Sequence, residues 1–208
     1  MFDEKMRLVK DTTFHPLAQL LQSVPPWLFT TAGLLAGVAA AVALWQQHYG
    51  LGFFLWFINR LFDGLDGAVA RMRGMQSDFG GYLDIVVDFV VYAAIPVGLA
   101  VGVARTAVAT VSVQAVTLSL IFLLSTYYVN AASWMYLAAI LEKRHAVHDG
   151  RLTTITMPVG LIGGTETIVF YTAFIFFPTY LAWLFSLMGL LLVVTIVQRL
   201  VWAARHLS

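Results

Sequence analysis

Cysteine is absent from all 208 residues. That excludes disulfides, thiolate metal sites and cysteine nucleophiles. Charge is scarce: Asp, Glu, Lys and Arg make up 11% of the chain, where a soluble domain carries about 25%. Hydrophobic residues supply 60%, and the mean hydropathy is +0.83. These values exclude an ordinary soluble domain and predict an integral membrane protein. The formal net charge of +1 gives no argument for a nucleic-acid partner. Sustained apolar–polar alternation is lacking, and the apolar runs are too long for strands. There is no internal repeat, low-complexity segment or appended soluble domain, so residues 1–208 read as one membrane domain.

What remains is a series of apolar helices. Lys5, Arg7 and Lys10 mix with Asp3, Glu4 and Asp11 at the start, and no short apolar core of a signal peptide follows. Phe14, Leu17, Leu20, Leu21 and Val24 recur at helical spacing. They predict a short amphipathic helix over about 13–24, lying in the membrane interface or packed on the bundle. Membrane spans are predicted over about 27–45, 51–72, 80–103, 107–141, 157–177 and 179–201. The fold class expected is therefore an all-α integral membrane protein of six transmembrane helices with a short N-terminal interfacial helix. At ~1.5 Å per residue the fourth helix would reach ~50 Å, beyond a ~30 Å hydrocarbon core, so it must tilt, kink or project. Six spans put both termini on one side. Ten of the twelve lysines and arginines fall on that side, with Arg105 opposite and Arg60 within the bilayer. The positive-inside rule makes it the cytoplasmic side.

Chemistry concentrates in the stretch from Asp63 to Asp88, DGLDGAVARMRGMQSDFGGYLDIVVD. Helical spacing puts Asp63, Asp66, Gly67, Ala70 and Arg71 on one side of the second helix. Gly80, Asp84 and Asp88 recur every four residues along the third. Two facing helices would bring four carboxylates to one point, and four ionised acids in a low-dielectric site require a cation. An all-oxygen cluster suits Mg²⁺ or Mn²⁺, and such ions serve phosphate chemistry. The glycines permit close approach of a ligand, and Arg71 offers a fork of donors to a phosphate or carboxylate. Arg60 lies deep in the second helix and needs a partner. Asp63, three residues on, is the nearest candidate.

The pattern D-x-x-D-G-x-x-A-R-x₈-G-x-x-x-D-x-x-x-D resembles the signature of the class I CDP-alcohol phosphatidyltransferases, and every fixed position is matched between Asp63 and Asp88. The resemblance implies transfer of a substituted phosphate from a CDP-linked donor, CDP-diacylglycerol in most bacterial members, to an alcohol acceptor with release of CMP. It implies Asp63, Asp66, Asp84 and Asp88 as metal positions, with Asp88 also the general base. Gly67, Ala70 and Gly80 would leave room for the nucleotide, Arg71 would contact its phosphate or orient an acid, and Ser77 would lie beside it. The family often places Pro-Asn before a Thr. Pro26 and Thr30 fit that spacing, but Trp27 replaces the Asn, so Thr30 is either a nucleotide contact or a hydroxyl bonded to its own helix. A homodimer is also implied, with Gly33, Gly37 and Gly98 permitting close helix contact. The location implied is a bacterial or archaeal cell membrane with the site facing the cytoplasm.

Two other functions fit parts of the pattern. An aminoalcohol phosphotransferase would take CDP-choline or CDP-ethanolamine and diacylglycerol, and a cation transporter would also carry intramembrane acids. The acceptor is addressed by Glu166, Asn130 and Arg151. Glu166 is expected ~12 Å into the fifth helix at ~1.5 Å per residue, following Gly163 and Gly164. There it either lines the acceptor pocket or is held within the bundle, paired with Arg60 or accepting hydrogen bonds. Lysine and arginine are absent between Arg105 and Lys143 and between Arg151 and Arg199. A carboxylate in a pocket poor in cations would favour an uncharged or amine-bearing acceptor over a phosphorylated one.

Overall fold

A computed structural model describes residues 16–105, 112–147 and 160–207, and every regular element among them is helical. They are α1 Pro26–Trp45, α2 Tyr49–Met72, α3 Asp78–Arg105, α4 Val113–Val147, α5 Gly164–Phe176 and α6 Leu181–His206, with a 3₁₀ turn at Pro178–Tyr180. Four of these are long and apolar enough to cross a membrane: α1, α3, α4 and α6. The other two depart from that description for physical reasons. Helix α2 carries Arg60, Asp63, Asp66 and Arg71 along its length. Helix α5 has 13 residues, about 20 Å at ~1.5 Å per residue.

Several boundaries differ from those predicted. Helix α4 continues past the predicted end near residue 141, through Glu142, Lys143 and Arg144 to Val147. Glu, Lys and Arg are strong helix formers, and no Gly or Pro intervenes to stop them. Helix α5 begins at Gly164 rather than near residue 157, because 160–163 are not helical. The Gly163-Gly164 pair is poor helix interior but good helix boundary. Helix α6 runs past the predicted end near residue 201 to His206.

The chain forms two compact units, Met1–Val108 and Ala109–Ser208. In the first, α1 is the central element: both α2 and α3 pack extensively on it, and far less on each other. Small residues make this possible. A Cβ at Gly37 would lie 2.5 Å from Val91 Cγ2, and one at Gly98 would strike the Ala41 carbonyl. Gly33, Gly37 and Gly98 are thus used for packing within the unit, the usual way apolar helices gain van der Waals contact in lipid. The sequence had offered them for contact between copies. Val91, Ile95 and Leu99 of α3 are fully buried in this packing. Asn59, also buried, donates from Nδ2 to the Gly33 carbonyl at 2.8 Å and ties α2 to α1. Residues 16–20 are helical. Ala18 is fully buried in a cluster with Phe29, Leu65, Ala68 and Val69, while Leu20 is exposed.

In the second unit, α4 and α5 both pack on α6. Phe174 meets Phe185 edge to face at 4.8 Å, and Tyr171, Phe174, Phe185 and Met188 are fully buried. Arg144 donates to the carbonyls of His206 and Leu207, satisfying acceptors at the end of α6.

Candidate active site

The site of the first unit follows from the way α1 separates α2 from α3. Because these two helices contact each other so little, a gap remains between their polar faces. The wall of that gap on α1 is formed by Phe29, Thr30 and Gly33. The acids lie at intervals of three on α2 and four on α3, one helical turn apart in each case. They therefore point into the gap together, and Asp63, Asp66, Asp84 and Asp88 all line one cavity of about 10 Å³. That volume is the size of a single small occupant.

Each acid has a distinct environment. Asp66 is the most buried, and Thr30 Oγ1 donates to its Oδ2 at 2.9 Å. Asp63 and Asp84 approach within hydrogen-bonding reach across the gap. Asp88 accepts from Arg60 Nη2 at 2.7 Å, while Arg60 Nη1 lies 3.6 Å from Asp63 Oδ2. Arg60 therefore meets Asp88, on the opposite helix, more closely than the near neighbour in sequence. Among the described residues no three Asp, Glu or His side chains converge with coordination geometry. Thus the four acids share a cavity but do not meet at a single point. Like charges repel, and Thr30 and Arg60 each engage one oxygen, of Asp66 and Asp88 respectively. The donor set is all-oxygen and suits a hard divalent cation.

A second cavity of about 490 Å³ adjoins the acids, sharing Thr30, Asp66 and Asp84 with the first. Its size is in the range of small-molecule sites. All six residues predicted to bind the nucleotide line it: Thr30, Gly67, Ala70, Arg71, Ser77 and Gly80. The local roles are specific. A Cβ at Gly67 would lie 3.1 Å from Arg71 Nη1, so the missing side chain lets the guanidinium fold back over the helix. Ser77 accepts from the Gly80 N–H at 3.1 Å, which makes it the N-cap of α3. The first turn of α3 thus borders the pocket with its N–H groups and positive dipole end, a favourable place for phosphate. Trp27, which stands in place of the family's Asn, also lines this cavity, as do Gln76 and Phe79, which sequence reasoning did not single out. Their signal was position alone, beside motif residues at loop and helix ends. Asp78 is exposed in the first turn of α3.

The residues predicted for the acceptor belong to the second unit. Glu166 lies in the first turn of α5, and its Oε2 accepts from the Gly163 N–H at 3.0 Å. It closes the helix start, as Glu does three residues after an N-cap, and is not two turns deep in the helix. Arg60, proposed as its partner, is held by Asp88. Asn130 accepts from Arg199 Nη1 through its backbone carbonyl and its Oδ1, both at 3.0 Å. Arg199 is buried, so a cation stands beside Asn130. Arg151 lies outside the described residues.

Comparison with known proteins adds to this geometry. A family model described as CDP-alcohol phosphatidyltransferase matches residues 23–205. The chain is 32% identical over 181 residues to the Inner membrane protein YnjF of Escherichia coli, covering 86% of this chain and 82% of that one. It is 34% identical over 79 residues to an archaetidylinositol phosphate synthase of Pyrococcus horikoshii, covering 38% of this chain and 42% of that one. The crystal structure of Mycobacterium tuberculosis phosphatidylinositol phosphate synthase in complex with manganese and citrate matches with a TM-score of 0.62 at 26% identity, covering 89% of this chain and 86% of that one. The apolar helices and the inner-membrane relative together make this chain an integral membrane protein.

Proposed function

Because the chain belongs to the CDP-alcohol phosphatidyltransferase family, we propose that it transfers the phosphatidyl group of CDP-diacylglycerol to an alcohol and releases CMP. The observation that carries this reading is the pairing of cavities. Four acids line a small one, and the six residues predicted for the donor line a larger one that opens from it. A membrane site suits a donor with two acyl chains, whose head can reach the acids while its tails stay in lipid.

Asp63, Asp66, Asp84 and Asp88 are the residues that would hold Mg²⁺ or Mn²⁺. When bound, the cation neutralises pyrophosphate charge and stabilises the departing CMP. The mycobacterial relative was crystallised in complex with manganese, which agrees with such a site. Arg71 and the N–H groups at the start of α3 bind the donor's phosphates. Asp88 takes the proton of the acceptor hydroxyl. The acceptor oxygen then bonds to the phosphorus that carries diacylglycerol, and the bond from that phosphorus to the CMP oxygen breaks. Six spans with the acids towards the cytoplasm remain the arrangement favoured by the lysine and arginine distribution. The protein acts as a homodimer, a reading that rests on the family. Buried Arg199 beside Asn130 is a cation in the second unit that a phosphorylated acceptor could use, so the acceptor panel includes phosphorylated as well as uncharged and amine-bearing alcohols.

The experiment is incubation of the purified protein in lipid nanodiscs with CDP-diacylglycerol, Mn²⁺ and a panel of alcohols. The panel holds inositol phosphate, glycerol phosphate, serine, inositol and phosphatidylglycerol, with mass spectrometry of the lipid product. A new phospholipid with stoichiometric CMP is expected from one acceptor. CMP released only from CDP-choline or CDP-ethanolamine with diacylglycerol would establish the aminoalcohol reaction instead.

A further inference from the structure

Among the described residues, Arg60 is the one cation whose side chain lines the small acidic cavity. Nothing in the signature of matched residues includes it. Its side chain is 10% exposed, and all three of its nitrogens are engaged. Nε donates to Asn59 Oδ1 at 2.9 Å, Nη1 to the Tyr92 hydroxyl at 2.9 Å, and Nη2 to Asp88 Oδ1 at 2.7 Å. Its guanidinium carbon also lies 5.1 Å from the centre of the Tyr92 ring. Asn59 is anchored in turn on the Gly33 carbonyl of α1. A line of hydrogen bonds therefore runs from the backbone of α1, through Asn59 and Arg60 on α2, to Asp88 and Tyr92 on α3.

We propose that Arg60 is the positioning residue for Asp88, fixing one carboxylate oxygen so that the other faces the acceptor hydroxyl. The inference rests on the reading of Asp88 as the base. Three features support it. The helices that bear Arg60 and Asp88 have little direct packing to hold them in register, so this bridge sets the spacing between the two halves of the site. The fork of a guanidinium reaches Asn59, Tyr92 and Asp88 at once from a fixed plane, which the single ammonium of a lysine cannot do. With every nitrogen directed at protein, Arg60 acts through Asp88 and not on the donor. Its pairing with Asp88 Oδ1 leaves Oδ2 as the oxygen for the proton.

The test is a double-mutant cycle on the full-length protein in nanodiscs, read as CMP release, with kcat and the donor KM separated and the melting temperature recorded for each variant. Arg60→Met is expected to lower kcat by roughly 10- to 100-fold, the usual cost of removing a partner that orients a ligand group, with the donor KM changed less than about twofold on the ground that the interaction is not made with the donor. Arg60→Lys is expected to recover only part of the loss. Asp88→Asn should lower kcat further, and the double variant should be no slower than Asp88→Asn alone, because no base then remains to be oriented. Tyr92→Phe removes one anchor at little cost in volume, and should lower kcat by a few-fold even if Arg60→Met fails to fold. A double variant whose loss is the product of the two single losses would overturn the proposal. So would a raised donor KM with unchanged kcat in Arg60→Met, or full activity in both Arg60→Met and Tyr92→Phe. Full activity in Asp88→Asn would instead overturn the assignment of the base itself.

Discussion

The hydrogen bond from Thr30 to Asp66 offers a test of the site at a residue that is not itself an acid. Thr30 sits near the start of α1, and its hydroxyl lies 2.9 Å from Asp66 Oδ2 but 3.4 Å from the Pro26 carbonyl. The single hydroxyl proton is therefore directed at the acid, in preference to the helix backbone. Both side chains are buried, Thr30 at 8% and Asp66 at 7% exposure, so water cannot substitute freely for the lost donor. Thr30→Val keeps the shape and the β-branching and removes only that donor. A hydrogen bond to a charged group is worth roughly 1.5–3 kcal/mol, and a partner that orients a metal ligand typically changes metal affinity by roughly 10- to 100-fold. The two ranges agree in order of magnitude. The expected outcome is a rise of at least about tenfold in the Mn²⁺ concentration for half-maximal CMP release, with Thr30→Ser close to wild type. The assay is a Mn²⁺ titration of each variant at saturating donor. Superimposable titrations for wild type and Thr30→Val would refute the reasoning, because Asp66 would then not be held by Thr30 in any way that matters to metal.

Two further outcomes are expected. Glu166→Ala should lower the melting temperature, since loss of a helix-start cap costs roughly 0.5–2 kcal/mol, and should leave the acceptor KM unchanged; a raised acceptor KM would return Glu166 to the acceptor pocket. Mass measurement of the active protein in mild detergent should give a dimer, and a monomer with full activity would remove that part of the proposal.

The acids and their placement were legible in the sequence because a helix has a fixed period. Spacings of three and four residues over α2 and α3 predict shared faces, and those faces do line one gap. What the sequence could not supply was the partner of each group across the gap. Arg60 has an acid three residues away in sequence, and local spacing therefore pointed to Asp63. The stronger pair is with Asp88, 28 residues on, because only the packing of both helices on α1 brings those two together. Glu166 shows the opposite failure. Its short-range signal was present, a glutamate three residues after a glycine at a helix start, but an apolar run was read as one uninterrupted helix. Arg199 was hidden by its position near the end of a predicted span, where a cation ordinarily faces water. Only the register of α6 against α4 turns it towards Asn130. The three glycines of α1 and α3 were recognised as contact residues, but composition cannot say whether such contact lies within a chain or between chains.

The central claim is that the acids of α2 and α3 carry a metal-dependent transfer that releases CMP. The most direct measurement is CMP release from CDP-diacylglycerol in the presence of the identified acceptor, before and after verified removal of divalent metal, for wild type and Asp84→Asn. The account predicts that wild-type release vanishes on metal removal and returns with Mg²⁺ or Mn²⁺, while folded Asp84→Asn stays inactive under both conditions. Undiminished release from metal-free wild type, or wild-type rates from Asp84→Asn, would contradict it.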